Sequence, residues 1–379
     1  MRTLIVGAGI SGLTLACFLK RHEGFEVDII DKCSDWAHLG FTLGIWDVGR
    51  RVLSKLDLDK NFDRLGRRIH TMRITDRDNK HVINMNHFED FYKQYESAYT
   101  HISRKDLHDL LVTESGMNIN MCSSPKTITQ TKDIVTVEFN DGMVKEYDLV
   151  VGADGLHSKV RELIFPRSKI QYTGNRVWFA WVNSKFVQRN TVTEMIYEKT
   201  FFNLFDDPTS GCAVLMAKEK PLKFDEVETR IKRLRKHFKG FASPVPEIIS
   251  TTPPENFTPT DIAYVDSDDW VRNRVVLIGD AAHAMEQYGG IGASMGMEDA
   301  YVLSDELIQV GKNSVAKALR RYTNRRLPRI EIARRQTRNN YWWMTFKFPG
   351  VMFIRKHLAR LIPIKHFTKG YATLLETEP

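Results

Sequence analysis

Cysteine is scarce: the 379-residue chain has four, Cys17, Cys33, Cys122 and Cys212, and no two stand in a C-x-x-C pair. That pattern excludes a zinc knuckle, a redox dithiol and a disulfide framework, and it fits a reduced, cytosolic compartment. Long apolar runs are missing too. Near the N-terminus only Leu4 to Val6 precede Gly7 and Gly9, and the longest late stretch, Trp342 to Ile354, is interrupted by Lys347 and Pro349. The first is too short for the core of a secretory signal, and the second falls short of the roughly 20 apolar residues of a spanning helix. A soluble, cytoplasmic protein with no transmembrane segment is expected. Internal repeats and low-complexity linkers are also lacking, so two lobes would have to be interleaved in sequence rather than strung apart.

What is present is an ordinary globular composition, 42% hydrophobic and 27% charged, which excludes a mainly disordered or collagen-like chain. The length exceeds the usual limit of one hydrophobic core. Net charge is +8, unevenly spread: residues 311–379 hold 16 Lys+Arg against 3 Glu, and the preceding residues hold 39 basic against 44 acidic. A +13 tail on a −5 body can mark an interaction surface. Val315, Leu319, Tyr322, Ile330 and Ala333 recur at helical spacing, so a solvated basic face on an amphipathic helix is the reading preferred here.

Thr3 to Val6 reads as a strand, Ser11 to Lys20 as a helix with Leu13, Ala16 and Leu19 on one stripe, and Val27 to Ile30 as a second strand. Together they make a β-α-β unit of mononucleotide-binding size. Ile134 to Phe139 alternates, Asp141-Gly142 supplies a hairpin turn, and Val144 to Val151 reads as one returning strand. From about 170 to 270, runs such as Val177 to Val182, Thr191 to Tyr197 and Ala213 to Ala217 predict a mostly antiparallel sheet, interrupted by one helix near Asp225 to Phe238. Val275 to Ile278 is a third buried strand, and Pro328 should break or kink the helical stretch Ser314 to Trp343.

Three glycine turns carry the chemistry. Gly7-Ala8-Gly9-Ile10-Ser11-Gly12 is a G-x-G-x-x-G between strand and helix. Its glycines allow the tight turn, the approach of a pyrophosphate and close helix–strand packing, and the diphosphate would lie against free N–H groups at a helix N-terminus. Asp31, with Lys32 beside it, ends the second strand, where a carboxylate can accept from ribose hydroxyls. Asp148 to Arg161 repeats strand end, glycine turn and helix start around Asp154, and Gly279-Asp280-Ala281-Ala282-His283-Ala284, followed by Gly289-Gly290-Ile291-Gly292, does so a third time. There Asp280 can hold the hydroxyls of a ribityl chain, and the next helix N-terminus offers donors to an electron-rich ring.

In this order and spacing the segments, from Gly7 to Ala300, resemble the FAD-dependent monooxygenases of the class A, para-hydroxybenzoate hydroxylase type, which include tetracycline-inactivating enzymes. The resemblance implies an α/β fold: a Rossmann-like FAD-binding domain (1–70, 101–165, 271–310) interleaved with a mostly antiparallel substrate domain (71–100, 166–270), and C-terminal helices (311–379) bridging the lobes. It implies that Asp31 holds the adenosine ribose, Asp280 the ribityl chain, and the backbone from Gly290 through Gly292 to Ala293 the flavin pyrimidine edge. The Asp154 segment is associated with FAD and pyridine nucleotide handling. Ile102 to Leu107 is similar to the family's R-x-x-L helix start, which puts Arg104 beside FAD. The activity implied is NADH- or NADPH-dependent hydroxylation of an aromatic or polycyclic small molecule with molecular oxygen, by way of a flavin C4a-hydroperoxide. With one G-x-G-x-x-G already used, the nicotinamide would bind transiently.

Two positions depart from the family: Gln287 replaces a proline and Ser294 an asparagine. They keep open an FAD-dependent oxidase, dehydrogenase or reductase without oxygen insertion. A halogenase lacks support because Trp178 and Trp181 are spaced W-x-x-W. A nucleic-acid module lacks a recognition helix, RNA-binding sheet motif or metal finger to go with the basic tail. His283 belongs to the third turn, so a structural role is favoured over a general base. Substrate candidates are Tyr172, Trp178, Trp181, Phe201, Asn203 and Met216 on the sheet, with Gln287 and Tyr288 beside the ring; alternation sends about half of the strand positions to the other face. In the tail, Tyr341, Trp342, Trp343, Phe346, Phe348, Val351, Met352, Phe353 and Ile354 mix with Arg355, Lys356 and Arg360. Packing across the lobes is expected there, against a peripheral membrane or carrier-protein contact. Monomer and homodimer both remain open.

Overall fold

The computed structural model describes residues 1–36, 40–80, 99–219, 221, 225–310, 314–345 and 365–379, with backbone alone at 343–345 and 365–368. The buried run at the start of the chain, Arg2–Val6, becomes the middle of a six-stranded sheet. Leu149–Gly152 pairs with it on one side and Glu26–Ile30 on the other, both parallel. Val275–Leu277 and Ile119–Asn120 extend the two flanks in parallel, and Val271–Arg272 closes one edge antiparallel. The chain builds outward to one side of Arg2–Val6 and then to the other, which opens a crevice at the carboxyl ends of the two central strands. Ile10–Lys20 is buried on nearly every side, because the sheet covers one face and the helix Gly292–Val310 packs on another.

The hairpin forms as expected, but its second arm is not one strand. Val144–Tyr147 pairs with Val135–Phe139 in a three-stranded antiparallel sheet, whereas Leu149–Gly152 joins the parallel one. Asp148 marks the division: its carboxylate accepts from the Arg2 N–H (2.7 Å), and its own N–H donates to the Arg2 carbonyl (2.8 Å).

A second six-stranded sheet runs in the order Thr258–Val265, Ile170–Val182, Gly211–Lys218, Thr200–Asp206, Thr191–Tyr197 and Thr71–Asp76. All its pairs are antiparallel except the last. Two helices rather than one, Val227–His237 and Val245–Thr251, cover one face, burying Trp178, Phe202, Leu215, Leu234 and Phe238. Val177, Phe201, Met216 and Ile262 point from the other face. A small antiparallel sheet, Thr42–Trp46 with Tyr99–Ser103 and Arg67–Arg68, stands beside the crevice.

Pro328 does not break the C-terminal helix, which runs unbroken over Val315–Thr345. An interior proline removes one hydrogen bond at a cost of about 3 kcal/mol. Here the neighbouring turns are tied down: Arg326 Nε donates to Asp299 Oδ1 (2.7 Å) and Arg329 Nη2 to Glu298 Oε1 (2.7 Å). The same contacts correct the reading of the tail as a solvated basic face. Arg326, Arg329 and Arg334 are buried, and Arg321, Arg325 and Arg334 pair with Glu306, Asp305 and Asp268. Arg321, Arg325, Arg326, Arg329 and Arg334 of the tail thus neutralise acids of the body. Of the aromatic and basic run, Phe346 to Arg360 and the side chain of Trp343 lie outside the described residues, Trp342 is exposed, and Tyr341 stacks on Tyr288 at 4.6 Å. No helix among the described residues is long and apolar enough to cross a membrane.

Candidate active site

A cavity of about 1140 Å³ runs from the crevice of the parallel sheet to the bare face of the antiparallel one. The first turn enters at its polar end. Gly7 has φ +105°, and a Cβ there would lie 2.5 Å from the Ala153 carbonyl oxygen; at Gly12 it would lie 2.0 Å from the Gly7 carbonyl oxygen. These two glycines are demanded by packing. Around Gly9 nothing lies within 4 Å of the missing Cβ, so this glycine keeps a cradle open. Ile10–Lys20 has neither a side-chain cap nor an acid in its first turn, which leaves the N–H groups of Ile10, Ser11 and Gly12 available to an anion. Ser11 also fits between two other glycines, because a Cβ at Gly279 or Gly296 would fall 2.4 or 2.3 Å from its Oγ. The first and third turns are therefore built against each other.

Asp31 is fastened at both oxygens, by the Ala8 N–H (2.8 Å) and the Cys33 N–H (2.9 Å). That fixes its orientation and leaves further lone pairs free. Lys32 and Arg104 line the same end. Arg104 is the first residue of the helix Arg104–Ser115, which Ser103 Oγ caps by accepting from the Asp106 N–H (3.4 Å). Asp154 borders the cavity, but its carboxylate is committed to its own turn, accepting from Ser158 Oγ (2.5 Å), the Lys159 N–H (2.6 Å) and the Val160 N–H (3.2 Å). Burial raises its pKa against those bonds. Its contribution to the site is the shape of the helix start.

Asp280 is the opposite case: exposed to the cavity, with no side-chain hydrogen bond among the described residues. Next to it Gly290 (φ +57°), Gly292 and Ala293 present the start of the long helix Gly292–Val310. His283 faces away from the cavity. Its Nε2 meets Asp299 Oδ2 at 2.5 Å, and that oxygen also accepts from the Gly279 N–H (2.8 Å). Burial alone would push the Asp299 carboxyl up, but His283 and Arg326 hold it below the usual carboxylate range. The histidine is a strut of the third turn.

Gln287 and Tyr288 line the cavity on a short 3-10 turn, and the rigidity a proline would give comes from other residues. Trp46 Nε1 (3.3 Å) and the Tyr371 hydroxyl (3.0 Å) both donate to the Gly289 carbonyl, and Asn340 Nδ2 donates to that of Tyr288 (3.3 Å). Trp46 and Tyr371 stack at 4.0 Å. Ser294 anchors the same assembly, its Oγ accepting from the Trp46 N–H (3.0 Å). The C-terminal helix Lys365–Glu376 thus closes one wall of the site through Tyr371.

Of the substrate candidates, Phe201, Asn203 and Met216 line the apolar end. Trp178 does not: it is fully buried against the helices on the opposite face. Trp181 is on the correct face but beyond the cavity, 39% exposed and 5.6 Å from Phe41. Tyr172 is exposed on the outside. Sequence reasoning missed Tyr99, His101 and Glu194, the first partly buried and the other two buried, all lining the cavity. Burial lowers His101 to about 4, with the Asp206 carbonyl opposing, and burial pushes Glu194 up to about 7. The available signal was the pattern Val192, Glu194, Ile196, an acid at an apolar position of an alternating strand.

With this geometry established, comparison with known proteins decides the family. The family model described as an FAD binding domain matches residues 1–337. The chain belongs to the class A FAD-dependent monooxygenase family. The 2-heptyl-3-hydroxy-4(1H)-quinolone synthase of Pseudomonas aeruginosa is 28% identical over 377 residues, 96% of this chain and 94% of that protein. The 6-hydroxynicotinate 3-monooxygenase of Bordetella bronchiseptica is 24% identical over 376 residues, 93% of this chain and 94% of its own length. Klebsiella pneumoniae HpxO complexed with FAD and uric acid shares the fold, with TM-score 0.88, 22% identity and coverage of 100% and 97%. The enzyme is an FAD-dependent oxidoreductase, and its two kinds of glycine make separable expectations. Gly12→Ala drives a Cβ into backbone and should yield misfolded protein. Gly9→Val, at an extended φ of −79°, should fold with an unchanged melting temperature in the apo form and carry no flavin absorbance.

Proposed function

We propose that this enzyme uses NADH or NADPH to insert one atom of molecular oxygen into an aromatic or polycyclic small molecule lying between the third glycine turn and the antiparallel sheet. The observation that carries this reading is the convergence of three glycine turns and one apolar sheet face on a single cavity. The polar end fits FAD on the chain's own features: the open cradle at Gly9, the oriented carboxylate of Asp31, and the carboxylate of Asp280, which has no side-chain hydrogen bond among the described residues. The N–H groups of Ile10 and Ser11 would take the diphosphate, Asp31 with Lys32 the adenosine ribose, and Asp280 the ribityl hydroxyls. Arg104 would lie beside the cofactor, Asp154 would shape the adjoining turn, and Gly290 to Ala293 would face the ring. When bound, FAD supplies electron transfer to dioxygen and oxygen transfer to substrate. The chain's own part is to exclude water and orient the substrate with Phe201, Met216 and Asn203, while Trp46, Asn340 and Tyr371 hold the Gln287 to Gly290 turn in place.

In this reading residues 1–70, 101–165 and 271–310 bind FAD, 71–100 and 166–270 hold substrate, and 311–379 bridge them. The nicotinamide meets the flavin transiently, in a cytoplasmic monomer or homodimer. Named activities of relatives on a quinolone and a hydroxynicotinate favour a flat heteroaromatic substrate.

Asp280→Ala is the direct test. Hydrogen bonds to a charged acceptor contribute about 1.5–3 kcal/mol, so FAD should bind about 10- to 100-fold more weakly, while the melting temperature of the apoprotein stays within a degree or two. Retention of flavin as tightly as in wild type would remove Asp280 from the site. Product mass tests the reaction: a gain of one oxygen atom is expected, and loss of two hydrogens without oxygen would establish a dehydrogenase instead.

A further inference from the structure

Alternation along Thr191–Tyr197 turns Val192, Glu194 and Ile196 toward the cavity, and Glu194 stands directly opposite Asn203 on the neighbouring strand. The wall around the pair is apolar, formed by Phe179, Phe201, Val214 and Met216. Glu194 is 7% exposed, and no lysine, arginine or histidine pairs with it among the described residues. With the Asn203 amide assigned the orientation that satisfies its neighbours, its nitrogen donates to Glu194 Oε2 (3.3 Å) and to the Phe202 carbonyl (3.1 Å). With Glu194 ionised, above about pH 7, what remains for a ligand is two acceptors, the second carboxylate oxygen of Glu194 and the amide oxygen of Asn203, with no donor between them.

We propose that Glu194 and Asn203 form a specificity-determining pair that selects aromatic or polycyclic substrates carrying a protonated nitrogen at the end inserted against the antiparallel sheet. The inference rests on the reading of this cavity as the substrate chamber of a flavin monooxygenase. A buried carboxylate with no cation of its own is costly, and a ligand that brings the positive charge relieves the cost and donates to both acceptors at once. An alcohol of the same shape restores hydrogen bonding but not charge. Other groups in the cavity do not supply the missing cation. His101 is kept neutral by burial, burial above all keeps Tyr99 and Tyr371 protonated with the Glu194 charge adding to it, and Arg77 lies over the Tyr197 ring at 3.9 Å. Burial pushes the Glu194 carboxyl up to about 7, as an unpaired acid in an apolar wall requires.

The experiment uses FAD-loaded enzyme and three matched probe pairs: benzylamine and benzyl alcohol, naphthylmethylamine and naphthylmethanol, anthracenylmethylamine and anthracenylmethanol. Dissociation constants are read from perturbation of the flavin absorbance band. In wild type at least one amine should bind about 10- to 100-fold more tightly than its alcohol. Glu194→Gln should bring that ratio to within about twofold, with the alcohol's affinity and the flavin content unchanged. Absence of amine preference at every ring size overturns the proposal. So does an equal loss for amine and alcohol in Glu194→Gln, which marks general damage to the chamber. Failure of the underlying reading looks different: wild-type protein that takes up no flavin.

Discussion

Arg326→Met should destabilise the protein by about 3–5 kcal/mol, the loss found when one partner of a buried ion cluster is removed. Arg326 is wholly inaccessible and holds three groups: the Glu298 carboxylate, Asp299 Oδ1 (2.7 Å) and the Met295 carbonyl (3.1 Å). Methionine fills much of the volume but leaves Arg329 as the remaining side-chain partner of Glu298 and His283 as that of Asp299 among the described residues. The effect should reach the cofactor, because Asp299 also receives the Gly279 N–H that sets the third turn. Denaturant titration of the FAD-loaded enzyme, followed by both flavin fluorescence and circular dichroism, should show an earlier midpoint in both signals. Lysine should rescue little, since its single ammonium cannot reproduce the planar fork spanning two carboxylates. A midpoint equal to wild type would show that the cluster contributes nothing to stability.

Glu194→Gln should act in the opposite direction and only above acid pH. Burial raises the Glu194 carboxyl from 4.5 to about 7, so across that interval the folded chain holds a proton that the unfolded chain has released. Stability from this group is therefore intact below about pH 4.5, falls as pH rises towards 7, and stays low beyond it. The shift corresponds to at most about 3 kcal/mol. Glutamine removes the penalty, so the variant should melt later than wild type at about pH 8 and together with it at about pH 4.5. A melting difference that does not change with pH would contradict an ionising buried carboxyl. Retention of so costly a group on the cavity wall is expected of a residue kept for binding rather than for stability.

Elements whose cause is local were legible in the sequence. The first β-α-β unit follows from its apolar runs and from glycines at places where a Cβ meets backbone, and the structure places Gly7 and Gly12 under that constraint. Asp31 and Asp280 were legible because each stands a fixed distance beyond a strand or glycine turn, and both line the cavity. Strand periodicity marked the antiparallel region, but it could not say which face was which. Trp178 and Phe201 look equally suitable in sequence, and only the helices Val227–His237 and Val245–Thr251, covering one face, send Trp178 into the core and leave Phe201 in the cavity.

Long-range pairing was beyond the sequence for the same reason. Splitting of Val144 to Val151 at Asp148, continuity of the helix through Pro328, and burial of the tail arginines each depend on residues far away in the chain, Arg2, Glu298 and Asp299. Local propensity contributes a few kcal/mol at most at each such point, and tertiary hydrogen bonds and ion pairs exceed it. By itself the sequence determined the glycine turns and the two kinds of sheet, because a tight turn against a helix N-terminus needs its glycines within one short segment, and the resemblance of those segments to the class A monooxygenases implied the FAD-dependent chemistry. Tertiary structure alone decided which face of the second sheet lines the cavity, which residues brace the Gln287 turn in place of a proline, and that Glu194 stands in an apolar wall. Those properties arise where separate strands and helices close on one another, and no single segment carries them.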